Sequence, residues 1–597
     1  MKKSVAFFFS LTLIVFTAAT GTAAIESVGD PGRSWAIPND AERGMHVQEF
    51  IDSFPGEAVS YLVDNDLRKD PFIDPTCKSV DDAHCTSQSL QYSALLPVCG
   101  PLSELYCIEE FGVVSSGNET AKGTFSRYFP NQALNKFDAS ESLKLPYGAT
   151  GSIFDLPDAA HDGGTSYYVS VVTQGDVSKN RFTGANLSQL NIRIYPVKLE
   201  PNDRLFNSVD SGFSSVTDGG GGNVLGTWLQ AGFGFSGSSF CVAGSAKEKL
   251  CAQRYAFPAD KKFYLKLRMQ NKPAGWMHGR IYKPEISFNQ EKGFYSFSIS
   301  AFPVAVPVVY KMYRYPEMPQ ALKDLYDYRT GEYKPQVAIW SPEVIEGVIK
   351  GGCGRSKCSE DPLTRNKMIL PPPSSKFGMD QLKSWLPFVE DKATALLGTW
   401  SMRTLDVDES RDAQRCFTDG SNGLTGVVTT NATQYSGGPP TFNSSEGTLE
   451  YSVAAPHLTP QKQVFKGSYD LIMRSDVARC VYGFSKAPIR ASLSITSAEG
   501  DQKVESEILG EKDGWLYLSA SGFTYSAPTI KVKLTQEKLK EVLVEVKPEA
   551  VKPVEVAAPA VKSATPKKSI SITCTKGKIS KKVTGANPKC PSGFRKK

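Results

Sequence analysis

Alternating apolar and polar positions between residues 465 and 534 predict a series of strands. From residue 489 to 496 every odd position is apolar and every even one is polar. This period of two places one face of a strand on a core and the other in water. The alternation returns at residues 516–520 and 530–534, and turn-forming Asp-Gly residues separate the runs. We therefore expect this stretch to be a β module.

Strand patterns also dominate residues 116–305, at 167–172, 190–197, 263–267 and 281–299, the last with a break at residues 291–293. A Leu-Gly-Thr-Trp sequence at residues 225–228 recurs at 397–400, and a cysteine follows each copy. Chance recurrence among glycine-rich turns is the alternative to duplication. The expected fold class is mainly β, with two related β-sandwich-like modules at residues 116–305 and 393–536.

The segments around these modules differ from them in composition and in predicted secondary structure. Residues 25–115 contain four cysteines and a sequence at 41–61 that predicts a short helix, and we expect this segment to pack on the next domain. Residues 306–392 form a proline-rich, partly helical connector. Its predicted helices are residues 319–328 and 342–350, which begin with proline, and 380–396, where Pro387 is expected to kink or split the helix.

The N-terminus has the pattern of a secretion signal over residues 1–24: two lysines, an apolar run and then small residues. No later apolar run is long enough to span a bilayer, so we expect the mature chain not to be transmembrane. The expected localisation is secreted, either extracellular or associated with the cell wall.

Twelve cysteines suit an exported, oxidised protein, and six disulfides are the simplest interpretation, although spacing alone does not fix the connectivity. A zinc site is the alternative, but the cysteines at 353 and 358 have no second pair or histidine close in sequence. We therefore expect no metal and no cofactor. The cysteines fall into neighbouring pairs, which are Cys77 and Cys85, Cys99 and Cys107, Cys241 and Cys251, Cys353 and Cys358, Cys416 and Cys480, and Cys574 and Cys590.

Charge is concentrated at the C-terminus. Residues 537–566 are rich in Lys, Glu, Ala, Val and Pro without an aromatic residue, which predicts a disordered linker. Residues 567–597 then hold ten Lys and Arg and no acid, while the whole chain carries a formal net charge of only +6. The tail is therefore predicted to be a small, basic, disulfide-stapled unit.

Two stretches resemble known sequences. Residues 570–578 (ISITCTKGK) and 581–591 (KKVTGANPKCP) resemble a basic, two-cysteine C-terminal segment shared by many secreted actinobacterial proteins of uncharacterised function. Residues 469–488 resemble a β module found in similar proteins. The resemblance implies an exported, surface-associated protein, and it offers no catalytic activity to carry over to this chain.

The basic tail is expected to attach the protein to anionic cell-wall polymers by charge; a tail that only aids solubility is the alternative, and no nucleic-acid partner is expected. The residues predicted to make this attachment are Lys576, Lys578, Lys581, Lys582, Lys589, Arg595, Lys596 and Lys597.

Four residues are candidates for binding a ligand such as a surface glycan. Trp515 and Tyr517 alternate with apolar residues and could form an exposed aromatic platform. Trp276 and Arg280 are of types common at binding surfaces, but a packing role is the stronger interpretation of Trp276. The acidic residues at 406–412 lack the spacing of a calcium loop.

No HExxH or GxSxG motif is present, whereas paired carboxylates of a glycosidase remain open because their separation is set by the fold. The predicted function is an exported cell-surface structural or interaction protein without inferred catalysis. The alternatives are an extracellular glycan-binding protein and a secreted hydrolase.

Overall fold

A computed structural model gives the fold of most of the chain between residues 45 and 596. The predicted signal peptide at 1–24, the predicted helix at 342–350, the predicted linker at 537–566 and the first Leu-Gly-Thr-Trp copy lie outside the described residues. The structure describes residues 45–50, 60–69, 75–114, 119–131, 136–180, 184–201, 241–245, 248–314, 317–325, 367–369, 374, 376–405, 407–410, 413, 415–418, 423–485, 489–497, 500–502, 506–525, 529–536, 570–576, 579–585, 588–592 and 594–596.

The chain is mainly β, as the sequence predicts. The strands are β1 (Met45–Phe50), β2 (Tyr61–Val63), β3 (Ser89–Leu95), β4 (Cys107–Val114), β5 (Thr120–Lys122), β6 (Thr124–Phe129), β7 (Gly151–Asp155), β8 (Ser166–Ser178), β9 (Gln189–Pro201), β10 (Cys241–Ser245), β11 (Leu250–Arg254), β12 (Lys262–Met269), β13 (Gly275–Gln290), β14 (Tyr295–Arg314), β15 (Lys367–Ile369), β16 (Ala395–Thr404), β17 (Leu424–Thr430), β18 (Gln434–Tyr435), β19 (Thr441–Asn443), β20 (Thr448–Ala454), β21 (Lys466–Arg474), β22 (Ile489–Ser497), β23 (Gly500–Gln502), β24 (Ser506–Lys512), β25 (Trp515–Thr524), β26 (Thr529–Gln536), β27 (Ile570–Lys576), β28 (Ile579–Gly585) and β29 (Arg595–Lys596).

Helices are few and short in the described part of the chain. They are α1 (Gln320–Lys323), α2 (Lys376–Trp385), α3 (Val407–Ser410), α4 (Arg415–Thr418) and α5 (Ser475–Tyr482), together with single 3₁₀ turns at Leu67–Lys69, Pro157–Ala159 and Leu386–Val389.

The chain divides into two compact units, Met1–Lys538 and Leu539–Lys597. In the first unit 20 strands form one hydrogen-bonded network. Part of this network is a long sheet, which we call the central sheet. Its strands run in the order β6, β7, β8, β9, β16, β13, β17, β21, β25 and β24. Neighbouring strands in it are antiparallel except β13 and β17, which are parallel.

Strand β13 belongs to two sheets. Its first half pairs with β16 and β17 in the central sheet, and its second half pairs with β14. Pairing with β14 begins at Ile281, and the register then shifts between Tyr282 and Glu285, a bulge that redirects the strand. With β4, β5 and β12, the paired β13 and β14 segments form what we call the first flanking sheet.

Apolar side chains fill the space between the central sheet and the first flanking sheet, and we call this the first core. Each large side chain buried there contributes roughly 1.5–3 kcal/mol. The first core includes Val169, Ile192, Ile194, Met277, Trp400, Met402, Val427 and Ile472 from the central sheet and Phe111, Phe263, Leu265, Leu267, Phe297 and Ile299 from the first flanking sheet.

A second core covers the opposite face of the central sheet. Strands β18, β20, β26, β22 and β23 form a second flanking sheet in that order, with β19 beside β20. Helix α5 also packs into this core. The second core includes the side chains of Trp276, Val428, Tyr469, Leu471, Met473, Leu516 and Leu518 from the central sheet, Leu449, Tyr451, Val453, Ile489, Ile495, Ile530 and Val532 from the second flanking sheet, and Val477, Ala478 and Val481 from α5. The first unit therefore has three layers.

The strand predictions are confirmed wherever the alternation is clear. The predicted strands at 167–172, 190–197 and 263–267 lie within β8, β9 and β12, and the predicted break at 291–293 separates β13 from β14. In β26 the side chains of Ile530, Val532 and Leu534 are buried, while Lys533 is exposed. Asp513 and Gly514 both have positive φ, 52° and 79°, as a tight hairpin turn requires.

The helix predicted at residues 41–61 is wrong. Residues 45–50 instead form β1, which is antiparallel to the end of β14 and parallel to β15. Pairing with strands far along the chain therefore outweighs the weak local helical preference.

Two further helix predictions need adjustment. The helix predicted at 380–396 is α2, which begins at Lys376 and ends at Trp385, and a 3₁₀ turn that includes Pro387 follows it. The predicted helix at 319–328 contains the single turn α1. Conversely, residues 475–482, read as part of a strand-rich stretch, form helix α5, which ends at Gly483 with φ 65°.

The division into two separate modules, 116–305 and 393–536, does not describe the sheets. Strand β16 pairs with β9, β13 and β14, and β17 pairs with β13, so strands of both predicted modules alternate in one central sheet. The proposed repeat also places Trp276 on strand β13 but its counterpart Cys480 in helix α5. The segment at 25–115, expected to pack on the next domain, contributes β3, which pairs with β8, and β4, which pairs with β12.

Four of the expected disulfides are present in the described residues: Cys77–Cys85, Cys99–Cys107, Cys416–Cys480 and Cys574–Cys590. Cys251 is disulfide-bonded as well, Cys241 begins β10, and Cys353 and Cys358 lie outside the described residues. On the chain-entropy account the bridge from α4 to α5, which closes 64 residues, contributes about 4 kcal/mol.

The second unit contains a three-stranded sheet in the order β28, β27, β29. Cys574 on β27 is fully buried, and its disulfide to Cys590 closes the unit. Ile572 and Val583 are only half-buried, so the apolar core is small. A sheet of this size depends on such a covalent link.

The close packing of the central sheet can be tested at Gly426 on β17. A Cβ atom there would collide with the Trp276 ring and lie 2.8 Å from the carbonyl oxygen of Ile472. We expect Gly426→Ala to lower the free energy of unfolding by about 1–3 kcal/mol, because overpacking forces neighbours to shift. Denaturant unfolding measures this loss.

Gly510→Ala on β24 is the matched control, since a Cβ at Gly510 meets nothing within 4 Å. It should leave stability unchanged or raise it slightly, by about 0.5 kcal/mol. Equal losses in the two variants would contradict the packing of Trp276 against β17.

Candidate functional site

Trp515 and Tyr517, predicted to form an exposed aromatic platform, are half-buried on β25 and pack against the first core. The Tyr517 hydroxyl donates to the carbonyl oxygen of Ile286, 3.4 Å away on β13. The neighbouring Leu516 and Leu518 point into the second core. Strand β25 is therefore covered on both faces, and the open platform does not exist.

Trp276 is 2% exposed and packs in the second core, edge-on to Phe417 with ring centroids 5.2 Å apart. This agrees with the packing interpretation of the sequence. Arg280, on the same face of β13, is also buried, with 3% exposed. Neither side chain lies on a surface where a ligand could reach it.

Arg280 instead belongs to a cluster of His278, Arg280, Arg403, Glu409 and Tyr435, which we call the buried polar cluster. The side chains of Arg403 and Glu409 lie at its edge and are 28% and 14% exposed. The Arg280 guanidinium lies 4.5 Å from the Tyr435 ring centroid and donates to the backbone oxygens of Thr430 at 2.9 Å and Thr433 at 3.4 Å. Burial lowers the pKa of Arg280 to about 10, so it stays charged at neutral pH. The guanidinium thus holds the connection from β17 to β18 against β13.

His278 stacks on the same Tyr435 ring, with centroids 3.7 Å apart and planes 6° apart. It is 4% exposed, and Nε2 has no hydrogen-bond partner among the described residues. Burial, together with the positive charge of Arg403, lowers the pKa of His278 well below its usual value. The imidazole is therefore neutral in the folded protein.

Arg403 lies opposite His278 on β16 and closes the cluster. Its two terminal nitrogens donate to the two carboxylate oxygens of Glu409 on α3, both at 2.7 Å, and one of them also donates to the Tyr435 hydroxyl at 3.4 Å. Burial opposes the charge, but these hydrogen bonds raise the pKa of Arg403 above its usual value. Such a two-point arginine–carboxylate pair fixes the angle of α3 to the sheet.

A second buried group lies on the opposite face, where β13 leaves the central sheet. Asp470 on β21 is 2% exposed, and its Oδ2 accepts from the Thr429 hydroxyl at 2.7 Å and from the Lys283 backbone N–H at 3.0 Å. Lys283 has φ 49°, a left-handed conformation that costs a non-glycine residue about 1–2 kcal/mol. Burial raises the pKa of Asp470 to about 6, opposed by the Ser519 and Thr429 hydroxyls.

These groups provide no catalytic constellation. Glu409, considered with residues 406–412 for calcium, is paired with Arg403. Among the described residues no three His, Cys, Asp or Glu side chains are close enough to hold a metal ion. At His161 one ring nitrogen lies 2.9 Å from the Ser166 backbone oxygen, and the other accepts from the Gly163 N–H at 3.1 Å. That histidine supports a turn.

In the second unit the predicted attachment residues are distributed around the three-stranded sheet. Lys582, Lys589, Arg595 and Lys596 are exposed. Lys576 ends β27 and Lys581 lies on β28, whereas Lys578 and Lys597 lie outside the described residues.

The strand register shows on which face of the three-stranded sheet each of these basic residues lies. Lys582 is paired with Thr573, and Arg595 is paired with Thr575. Because side chains alternate along a strand, these four residues and Ser571 share one face. We call it the cationic face. Cys574, paired with Lys596, belongs to the other face.

Sequence reasoning missed Arg403, Glu409, Tyr435 and Asp470 as partners. A usable signal was present, because Arg403 and Asp470 are charged residues inside strand patterns, between Met402 and Thr404 and between Tyr469 and Leu471. A charge within a strand buried on both faces indicates a paired group. The partners themselves lie on other elements and required the fold.

Comparison with known proteins adds no relative. No protein-family model, no curated protein and no solved structure matches the chain. Within the described residues no helix is both long and apolar enough to span a membrane.

The buried carboxyl of Asp470 makes stability depend on pH. Its pKa is about 6 in the folded protein against an ordinary value of 3.8, so the folded state binds the proton more tightly. Between these values the free energy of unfolding falls as pH rises, by up to about 3 kcal/mol from this group. Asp470→Asn keeps an oxygen acceptor but cannot ionise. We expect it to lose this decline in unfolding experiments from pH 4 to 7.

The same substitution at an exposed position, Asp158→Asn, is the control. A decline of wild-type size in Asp470→Asn would show that the carboxyl is not responsible.

His278 should have the opposite effect. The unfolded chain protonates this histidine below about pH 6.5, whereas the folded protein keeps it neutral. The stability that it contributes is complete above that pH and is lost as pH falls, at up to about 1.4 kcal/mol per unit. His278→Phe keeps a ring against Tyr435 but cannot titrate. The free energy of unfolding of this variant should fall less than that of wild type between pH 6.5 and 5; an equal fall would contradict the burial of a neutral imidazole.

Proposed function

We propose that the chain is an exported protein that is held at the cell surface by its C-terminal unit, with the three-layered unit in a structural or interaction role. The observation that carries the proposal is the charge of residues 567–597: ten Lys and Arg and no acid. A segment of this composition is attracted to any polyanionic surface.

The secreted location is supported by two kinds of observation. Residues 1–24 have the pattern of a secretion signal. Four disulfides in the described residues suit an oxidising compartment. Both fit a protein that works outside the cell.

The folded C-terminal unit favours attachment over a merely solubilising tail. Its disulfide and strand pairing hold Lys582, Arg595 and Lys596 at fixed positions on a small sheet. A solubilising tail needs charge but no fold. A fixed array reduces the entropy that is lost when several cations contact one polymer.

The buried polar cluster supports a structural or interaction role for the three-layered unit. His278 and Arg280 are enclosed, and the cluster connects β13, β16, α3 and the segment after β17. Side chains in these positions stabilise the fold. Any partner of the first unit would therefore meet its outer surfaces.

Deletion of residues 567–597 tests the attachment. In cell fractionation of the producing cells, the intact protein should sediment with the cells, and the truncated protein should appear in the medium. A wash at 1 M salt should release the intact protein, because the screening length falls to about 3 Å. A full-length variant with the ten Lys and Arg replaced by Gln separates charge from chain length, and should also be released. Retention of the truncated or neutralised variant would refute electrostatic attachment.

A further inference from the structure

The basic residues of the C-terminal unit are not equivalent. On the cationic face Ser571, Thr573, Lys582 and Arg595 are exposed, and Thr575 is half-buried. On the other face Cys574 is fully buried, with the half-buried Ile572 and Val583 beside it. One face therefore carries hydroxyls together with Lys582 and Arg595, and the other contains the small core, where Lys581 and Lys596 are both paired with Cys574.

The cationic face has a regular arrangement. Ser571, Thr573 and Thr575 follow one another on β27 at intervals of two residues, so their side chains form a row with spacings of about 7 Å. Lys582 flanks this row opposite Thr573 on one side, and Arg595 flanks it opposite Thr575 on the other. Hydroxyl groups thus lie between two cations, and the Thr575 hydroxyl also donates to the Arg595 backbone oxygen at 3.5 Å.

We propose that this face is the contact surface for an extended polymer with repeating phosphate groups. A guanidinium and hydroxyls together donate several hydrogen bonds to the oxygens of one phosphate, and Lys adds a point charge. The row of hydroxyls along β27 suits a chain that lies along the strand and presents its anionic groups at intervals. This inference rests on the proposed function, since it names the polymer class that the C-terminal unit grips.

The central test compares two double variants of the full mature chain that remove the same charge. Lys582→Gln with Arg595→Gln removes both cations of the face. Lys589→Gln with Lys596→Gln removes two exposed cations elsewhere on the unit. Binding is measured on immobilised polyphosphate at several salt concentrations.

We expect the first pair to weaken binding about tenfold or more and to reduce the slope of log affinity against log salt by about 1.4, as two lost phosphate contacts require. The second pair should weaken it less than about threefold. Equal losses in the two pairs, or no loss in either, would overturn the proposal. If both weaken binding equally, attraction by overall charge, and so the proposed function, would still stand.

Thr573→Val tests the hydroxyls separately. Valine keeps the branched shape that suits a strand but donates no hydrogen bond. We expect a loss of about threefold on polyphosphate with an unchanged salt slope, because no charge is removed. Unaltered binding would exclude the hydroxyl row from the contact. Thiol titration of each variant confirms that Cys574 and Cys590 remain bonded, so that misfolding is not mistaken for lost contact.

Two other polymers complete the design. Polygalacturonate supplies carboxylates in place of phosphates, and single-stranded DNA supplies phosphates on a nucleic acid. The proposal expects the wild-type protein to bind polyphosphate more tightly than either one at equal charge concentration. Tighter binding to polygalacturonate or to DNA would overturn it in favour of that polymer. Retention of the truncated protein on cells would refute the proposed function even if the face binds polyphosphate.

Discussion

The first unit depends on one strand, β13, that is shared by two sheets. Its first half is fixed by β16 and β17, and its second half by β14. The change of direction occurs at Lys283, whose backbone is left-handed and whose N–H is taken by Asp470. A hydrogen bond to the buried side chain of Asp470 therefore ties β21 to the bend from which the first flanking sheet departs.

This arrangement places two groups with opposite acid responses on the two faces of the central sheet. Asp470 resists ionisation in its buried position, and His278 resists protonation. As pH falls below 6.5, the first group stabilises the fold and the second destabilises it. The two contributions partly cancel in the wild-type chain. A shallow pH profile would therefore conceal two large terms, which only single substitutions separate.

The polar cluster on the second-core side of the central sheet contains residue types that are common at binding surfaces. Arg280 is buried and Arg403 is partly buried, with 28% of its side chain exposed, and removing such cations from water is costly unless hydrogen bonds and charge compensate. Backbone oxygens, the Tyr435 ring and Glu409 supply that compensation. The same chemical versatility that makes arginine common at interfaces serves here to join β13 and β16 to α3 and to the segment that follows β17.

The sequence predicts individual strands well and their arrangement poorly, for physical reasons. Alternation reports which side of a strand is buried, and it located β8, β9 and β26. It does not report partners, so the pairing of β13 with β17, more than a hundred residues later, was out of reach. The exposed platform predicted at Trp515 and Tyr517 is absent because an aromatic residue with a polar group suits either a solvent-exposed face or a second core. Residues 45–50 became a strand through contacts with β14 and β15 that no local pattern encodes.

The C-terminal unit follows a different physical rule from the first unit. Its interior is little more than Cys574 and its neighbours, so a covalent bond replaces most of the apolar burial that the three-layered unit uses. A fold stabilised in this way leaves surface positions open to charge. Lys582, Lys589, Arg595 and Lys596 are exposed in it, within a stretch of sequence that holds ten Lys and Arg and no acid. Like charges held this close repel one another and oppose the folded state. A polyanion that neutralises them removes the repulsion, so binding and folding of the unit stabilise each other. The attachment that we propose for this unit is therefore expected to depend on the disulfide that holds the cations together.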